Sequence, residues 1–160
     1  MTAEACRFCI DESTEKDIRA HLLCCDAQFS PPLSRRVDIE EYSRKIRERG
    51  LTFEAWNGDT LVGLVAAYLD IPDRRCFITD VSVREEFTGK GIAESLMNEC
   101  LGYARHSSIS SIALEVSPDS RPAIKLYEKL GFRLVERRRN TLLMRYELAV
   151  LRDSRLREDP

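Results

Sequence analysis

The hydrophobic pattern changes period in the middle of the chain, and this change narrows the fold most. Residues 52–56 and 61–69 read as two strands joined by the turn Asn57-Gly58-Asp59, and 76–83 reads as a third after the turn at Pro72 and Asp73. Upstream, a short strand is expected over 5–10. Ser13-Thr14-Glu15-Lys16-Asp17 then supplies capping residues and early acids for a helix to about Cys25. Pro31 and Pro32 forbid its continuation. A second helix is predicted over 38–49, with Gly50 as its stop and Ile39, Tyr42 and Ile46 on one face. Downstream, Thr88-Gly89-Lys90-Gly91 opens a helix to about Arg105, a strand follows over 111–116, and a helix ends at Leu130-Gly131. Strands over 132–136 and 141–148 close the pattern, which is that of a mixed α/β domain.

The 160 residues suit one compact domain, assigned to 1–150, with a charged tail over 151–160. The chain carries 25 basic and 27 acidic residues, a formal charge of −2, so broad electrostatic binding to nucleic acid or a membrane is not expected. No apolar run approaches membrane-spanning length, and MTAEACRFCI lacks the layout of a signal peptide, so a cytoplasmic protein is expected. Cysteines stand at 6, 9, 24, 25, 76 and 100. Cys6 and Cys9 have half-site spacing for zinc, but Cys24 and Cys25 are adjacent, and neither His21 nor His106 completes a ligand pattern. Free thiols and no metal are the expectation.

Two segments carry chemistry. In residues 77–97, Gly89 and Gly91 allow a tight turn into a helix whose first amides lack intrahelical partners, a site suited to phosphate oxygens. Lys90 adds a cation. The spacing is neither GxxxxGK[ST] nor GxGxxG, and such a loop also reads as an ordinary strand-to-helix turn. In residues 114–132, Glu115 lies near a strand exit and Tyr127 on the following helix. A tyrosine hydroxyl can donate a proton, although a tyrosine there also suits simple packing.

Together these segments resemble the GNAT superfamily of acyl-CoA-dependent N-acetyltransferases. The family motif Gln/Arg-x-x-Gly-x-Gly/Ala is similar to Thr88-Gly89-Lys90-Gly91-Ile92-Ala93. The motif Asn-x-x-Ala-x-x-Leu-Tyr-x-x-x-Gly-Phe matches at Ala123, Leu126, Tyr127, Gly131 and Phe132, with Ser120 in place of Asn. Thr88 likewise departs from the usual Gln or Arg. The cofactor half also resembles ribosomal-protein N-terminal acetyltransferases within this superfamily, through Leu114-Glu115-Val116 before the tyrosine motif.

The resemblance implies a central mixed, mostly antiparallel sheet, flanked by helices and splayed between the strands at 76–83 and 111–116. Acetyl-CoA would enter the splay as co-substrate. Amides from Gly89 to Ala93 would hold its pyrophosphate, main-chain groups of Val81 and Val83 its pantetheine arm, and Thr88, Lys90, Ser120, Ala123 and Tyr127 would lie along it. Aminolysis of a thioester needs a base for the amine proton, donors near Val81 for the oxyanion and an acid for the departing thiolate. Glu115 is expected as base with Asp80 as the alternative, and Tyr127 as acid. Phe29, Pro31, Pro32, Leu33, Tyr42 and Tyr68 are candidates for the acceptor pocket, although apolar side chains there also suit core packing. The acceptor expected is a small-molecule primary amine. A protein N-terminus or lysine, and a non-catalytic acyl-CoA sensor, remain the alternatives, and a homodimer is compatible with the sequence.

Overall fold

The computed structural model describes residues 6–148, so the tail expected over 151–160 lies outside the described residues. Its elements are β1 (Arg7–Ile10), α1 (Glu15–Cys25), α2 (Ile39–Arg49), β2 (Leu51–Asn57), β3 (Thr60–Asp70), β4 (Arg75–Val83), α3 (Ile92–His106), β5 (Ser111–Val116), α4 (Arg121–Leu130), β6 (Arg133–Arg137) and β7 (Leu142–Glu147). Seven strands form one sheet in the order β1-β2-β3-β4-β5-β7-β6. All neighbours are antiparallel except β4 and β5, which run parallel. The α/β fold with a mixed, mostly antiparallel sheet is the one expected.

Local chemistry sets the element ends. Thr14 and Asp17 form a reciprocal capping box on α1, and the Asp38 carboxylate accepts the Glu41 amide at the start of α2. Gly50 ends α2 with an ordinary negative φ rather than the left-handed cap its position suggests; a Cβ there would lie 2.7 Å from Ile46 O. The helix expected from Thr88 starts only at Ile92, because Gly89 and Gly91 both take positive φ.

The sheet separates two apolar clusters. On one face, Ile92, Leu96, Met97, Cys100 and Leu101 of α3 pack with Ile78, Ile112, Leu114 and Tyr127. On the other, Ile18 and Leu22 of α1 and Ile46 of α2 pack with Leu33, Leu64 and Ala66. Beside the second cluster, Glu54 is fully buried and surrounded by hydrogen-bond donors. Its carboxylate accepts from Ser13 Oγ and Thr52 Oγ1 at 2.6 Å each, from Trp56 Nε1 at 3.0 Å and from the amides of Glu12 and Ser13. This density of donors makes a buried carboxylate tolerable and fixes the β1–α1 turn to β2.

Two irregularities position the site. Pairing between β4 and β5 ends at Ile78–Leu114, although β4 continues to Val83 and β5 to Val116, so the strands diverge. One residue earlier in the β3–β4 ladder, Ala66 pairs with Asp80 and Ala67 with Ile78, which leaves Thr79 as an extra, bulged residue. A bulge inverts the alternation that follows it. Ile78 therefore packs with α3, whereas Asp80 shares the α1/α2 face with its partner Ala66.

Candidate active site

The divergence of β4 and β5 opens a cleft of about 1240 Å³. Its walls are the end of β4, the loop before α3, the start of α4 and the loops 28–36 and 139–141. Thr88, Gly89, Gly91, Ile92 and Ala93 line one end. Phe87 is buried and anchors this loop, and the Thr88 hydroxyl donates back to Glu85 O at 2.7 Å. Gly91 caps α3 without any side-chain hydrogen bond, and the space beside Gly89 and Gly91 is open. The uncapped first turn of α3 and this open approach fit a phosphate group. Lys90 is not in the cleft wall; its charge acts on Cys6, which lies on the β1 side.

Val81 and Val83 also line the cleft, on the stretch of β4 that has lost its β5 neighbour. Backbone groups on that edge have no strand partner there, a geometry suited to an extended, amide-bearing chain. Ser120 sits at the start of α4 with its side chain uninvolved in capping, and Ala123, Leu126 and Tyr127 continue the wall. Lys129 binds Glu94 at 2.8 Å and ties α4 to α3.

The two candidate bases differ sharply in environment. Asp80 is 4% exposed and lines the cleft. Its Oδ2 accepts from Ser82 Oγ at 2.7 Å, whereas Oδ1 has no hydrogen-bond partner among the described residues. Burial pushes its carboxyl up to about 7, against smaller opposing effects from the Ser82 hydroxyl while it donates to the ionised carboxylate and from the charge of Arg36. Glu115 lies at the cleft rim and is bound by Arg138 and, more weakly, by Thr141 Oγ1 at 3.5 Å. Tyr127 is buried, and burial followed by the charge of Asp80 raises its hydroxyl above the usual tyrosine value, so it stays protonated at neutral pH.

The expected acceptor residues separate. Phe29 and Pro31 line the cleft. Leu33 does not: it is 3% exposed and packed between α1 and α2, holding the loop from behind. Pro32 is also outside the wall. Tyr42 donates its hydroxyl to Thr79 O at 2.7 Å, bracing the bulge beside Asp80 rather than lining the cleft. Tyr68 borders a separate hollow of about 630 Å³. Sequence reasoning passes over Ser82, reads Arg137-Arg138-Arg139-Asn140 only as a solvated turn, and weighs Arg36, with Arg35, Arg74 and Arg75, as favouring an anionic substrate or simply facing water. The alternation Asp80-Val81-Ser82 was the available signal for Ser82; the turn between the last two strands was legible, but no local pattern placed it at the cleft. Arg36 lines the cleft with its guanidinium 5.8 Å from the Phe29 ring. Among the described residues neither Arg36 nor Arg139 forms an ion pair.

A splayed sheet with a glycine loop at a helix start and a tyrosine on the facing helix defines an acyl-CoA-type acetyltransferase fold. The acetyltransferase (GNAT) family matches residues 16–132, and the chain belongs to that family as an N-acetyltransferase. It is 33% identical over 120 residues to human N-acetylaspartate synthetase, a match covering 75% of this chain and 37% of that protein's length. It is 27% identical over 134 residues to an uncharacterized N-acetyltransferase of Bacillus subtilis, covering 84% of this chain and 79% of the other. In fold it is similar to the PaiA N-acetyltransferase of Thermoplasma acidophilum in complex with coenzyme A (TM-score 0.69, 15% identity, 89% and 99% of the two chains). It also resembles the ribosomal-protein-S18-alanine N-acetyltransferase of Escherichia coli (TM-score 0.72, 16% identity, 88% and 94%).

Proposed function

We propose that the protein transfers the acetyl group of acetyl-CoA to the primary amine of a small molecule that also carries an acidic group, by direct attack within a ternary complex. The observation that carries this reading is Asp80, a buried carboxyl in the cleft wall, pushed up to about 7 and with one oxygen unpartnered. A group titrating near the working pH is well matched to removing an amine proton.

Acetyl-CoA supplies the acetyl group as an activated thioester. Amides from Gly89 to Ala93 hold its pyrophosphate, and the free edge of β4 at Val81 and Val83 holds the pantetheine arm. Asp80 takes the amine proton, directly or through one water. Main-chain donors near Val81 face the carbonyl oxygen as charge develops. Tyr127 gives its proton to the sulfur as the carbon–sulfur bond breaks. Glu115, held by Arg138, serves the rim instead of the base role. Arg36, beside the Phe29 ring and without a carboxylate partner among the described residues, supports an acidic acceptor. A relative named for making N-acetylaspartate bears on the same choice.

The test begins with calorimetric titration of acetyl-CoA against ATP and NAD, followed by thiol release with a panel of amines. Aspartate and glutamate, amino-sugar phosphates, uncharged amino sugars, polyamines and peptides with free N-termini make the panel. Turnover concentrated on the carboxylate- or phosphate-bearing amines is expected. In Arg36→Ala the KM for those amines should rise by about tenfold or more, the scale of one lost charged hydrogen bond, with uncharged amines unaffected. Preferential turnover of peptides or polyamines overturns the acceptor class, and binding of acetyl-CoA without any turnover identifies a sensor.

A further inference from the structure

Behind Asp80 lies a buried row of hydrogen-bonding groups that this chemistry leaves unused. Ser82 Oγ is 2.7 Å from Asp80 Oδ2, His21 Nε2 is 2.9 Å from Ser82 Oγ, and His21 Nδ1 is 3.3 Å from Leu61 O. His21 is fully buried and Ser82 is 7% exposed. The row runs from the cleft wall, across the sheet face, into the packing of α1.

Hydrogens are short of links in this row. Leu61 O can only accept, so that link needs a hydrogen on Nδ1. Neutral imidazole carries one N–H and serine one O–H. Burial, with the charge of Arg84, lowers His21 to about 4, so the ring is neutral near pH 7. While Asp80 is ionised, two hydrogens serve three links, and one pair of lone pairs must face each other. A proton on Asp80 completes the set. The carboxyl O–H then donates to Ser82 Oγ, the Ser82 hydroxyl turns to His21 Nε2, and Nδ1–H donates to Leu61 O.

We propose that Ser82 and His21 form a hydrogen-bond relay that is complete only when Asp80 is protonated, and that they thereby hold the proton Asp80 takes from the acceptor amine. This inference rests on Asp80 as the base. In the step, an N–H bond of the amine breaks, its electron pair stays on nitrogen, and the hydrogen bonds to an Asp80 oxygen. A half-turn of the carboxyl about χ2 presents that oxygen to Ser82. Cys25 Sγ lies 3.7 Å from His21 Nε2, Arg84 Nε donates to Leu61 O at 2.8 Å, and Glu86 acts on Cys25. Arg36 favours the charged form of Asp80, and Tyr42, Tyr68 and Tyr127 each feel its charge while remaining neutral.

A plain hydrogen bond from Ser82 to the carboxylate makes the opposite prediction. A donor to the ionised form lowers the carboxyl pKa, so removing it raises that pKa. Removing the relay's acceptor of the carboxyl proton lowers it. The carboxyl 13C signal of Asp80 in the full chain reads the sign directly. In Ser82→Ala the Asp80 titration should move down by about 0.5–1 pH, the effect of one lost hydrogen bond, and Ser82→Thr should restore it. His21→Asn keeps a donor for Leu61 O but loses the Nε2 acceptor, and should move the titration the same way. In turnover, the acid limb of kcat should follow while the KM for acetyl-CoA stays unchanged. An upward or unmoved titration in Ser82→Ala overturns the relay. Wild-type protein that acetylates no amine overturns the acetyl-transfer reading, and the carboxyl titration still decides the relay on its own.

Discussion

At the scale of single residues, the two carboxylates at the splay test how environment assigns a role. Asp80 is desolvated and has a free oxygen, whereas Glu115 is half-exposed and occupied by Arg138. Asp80→Asn should therefore lower kcat/KM by about 10²–10³-fold, the range for loss of a general base. Glu115→Gln should stay within about threefold, as expected for a surface ion pair. Steady-state kinetics with an accepted amine compares them, and the reverse order would assign the base to Glu115. Tyr127→Phe keeps the buried ring and removes only the proton donor. Its kcat should fall by about 10²-fold with acetyl-CoA affinity held, as calorimetry and turnover together will show. The sequence pointed to all three residues but ranked the carboxylates by resemblance. Arg138, 23 positions from Glu115, and the burial of Asp80 are products of tertiary packing that no local pattern records.

At the scale of elements, periodicity and capping residues were enough to locate β1–β7 and α1–α4 to within a few positions, although not the short 3-10 turns at 26–28, 33–35 and 85–87. What they could not show is where the regular pattern breaks, and the site is built on those breaks. Unbulged alternation would put Asp80 on the same face as Ile78, beneath α3; the extra residue Thr79 turns it toward α1 and α2. The β4–β5 divergence was legible only through resemblance, because strand pairing across an intervening helix leaves no local signature. Gly63 is a further hidden constraint. A Cβ there would lie 2.8 Å from Ile92 Cγ2 and 3.2 Å from Leu96 Cδ1, on the first turns of the helix that follows the glycine loop. Gly63→Ala should cost about 1–3 kcal/mol by overpacking and push the start of α3 outward. Urea unfolding measures the first effect. Acetyl-CoA affinity measures the second, and should fall more than in a variant of equal stability altered in the β1–α1 turn.

At the scale of the whole molecule, the same buried groups that serve the cleft shape stability against pH. Asp80 has its folded pKa raised to about 7, above an unfolded value of 3.8, so between these values the folded state holds a proton that the unfolded chain has released. Stability from this group is present at acid pH and is lost as pH rises toward 7, by an amount on the order of 4 kcal/mol. His21 works with the opposite sign. Its folded value of about 4 lies below the unfolded 6.5, so the unfolded chain binds the extra proton and stability falls as pH drops through that window. From pH 4 to 6.5 the two slopes oppose and largely cancel. Above pH 6.5 only the loss at Asp80 remains. Asp80→Asn imitates the protonated carboxyl and removes one slope. It should match the wild type near pH 4 and exceed it increasingly up to about pH 7, with the gain level above that. Urea unfolding of both proteins at pH 4, 6 and 8 checks this. A difference that does not change with pH would mean Asp80 keeps an ordinary pKa in the fold, and its fitness as a base near neutrality would fall with it.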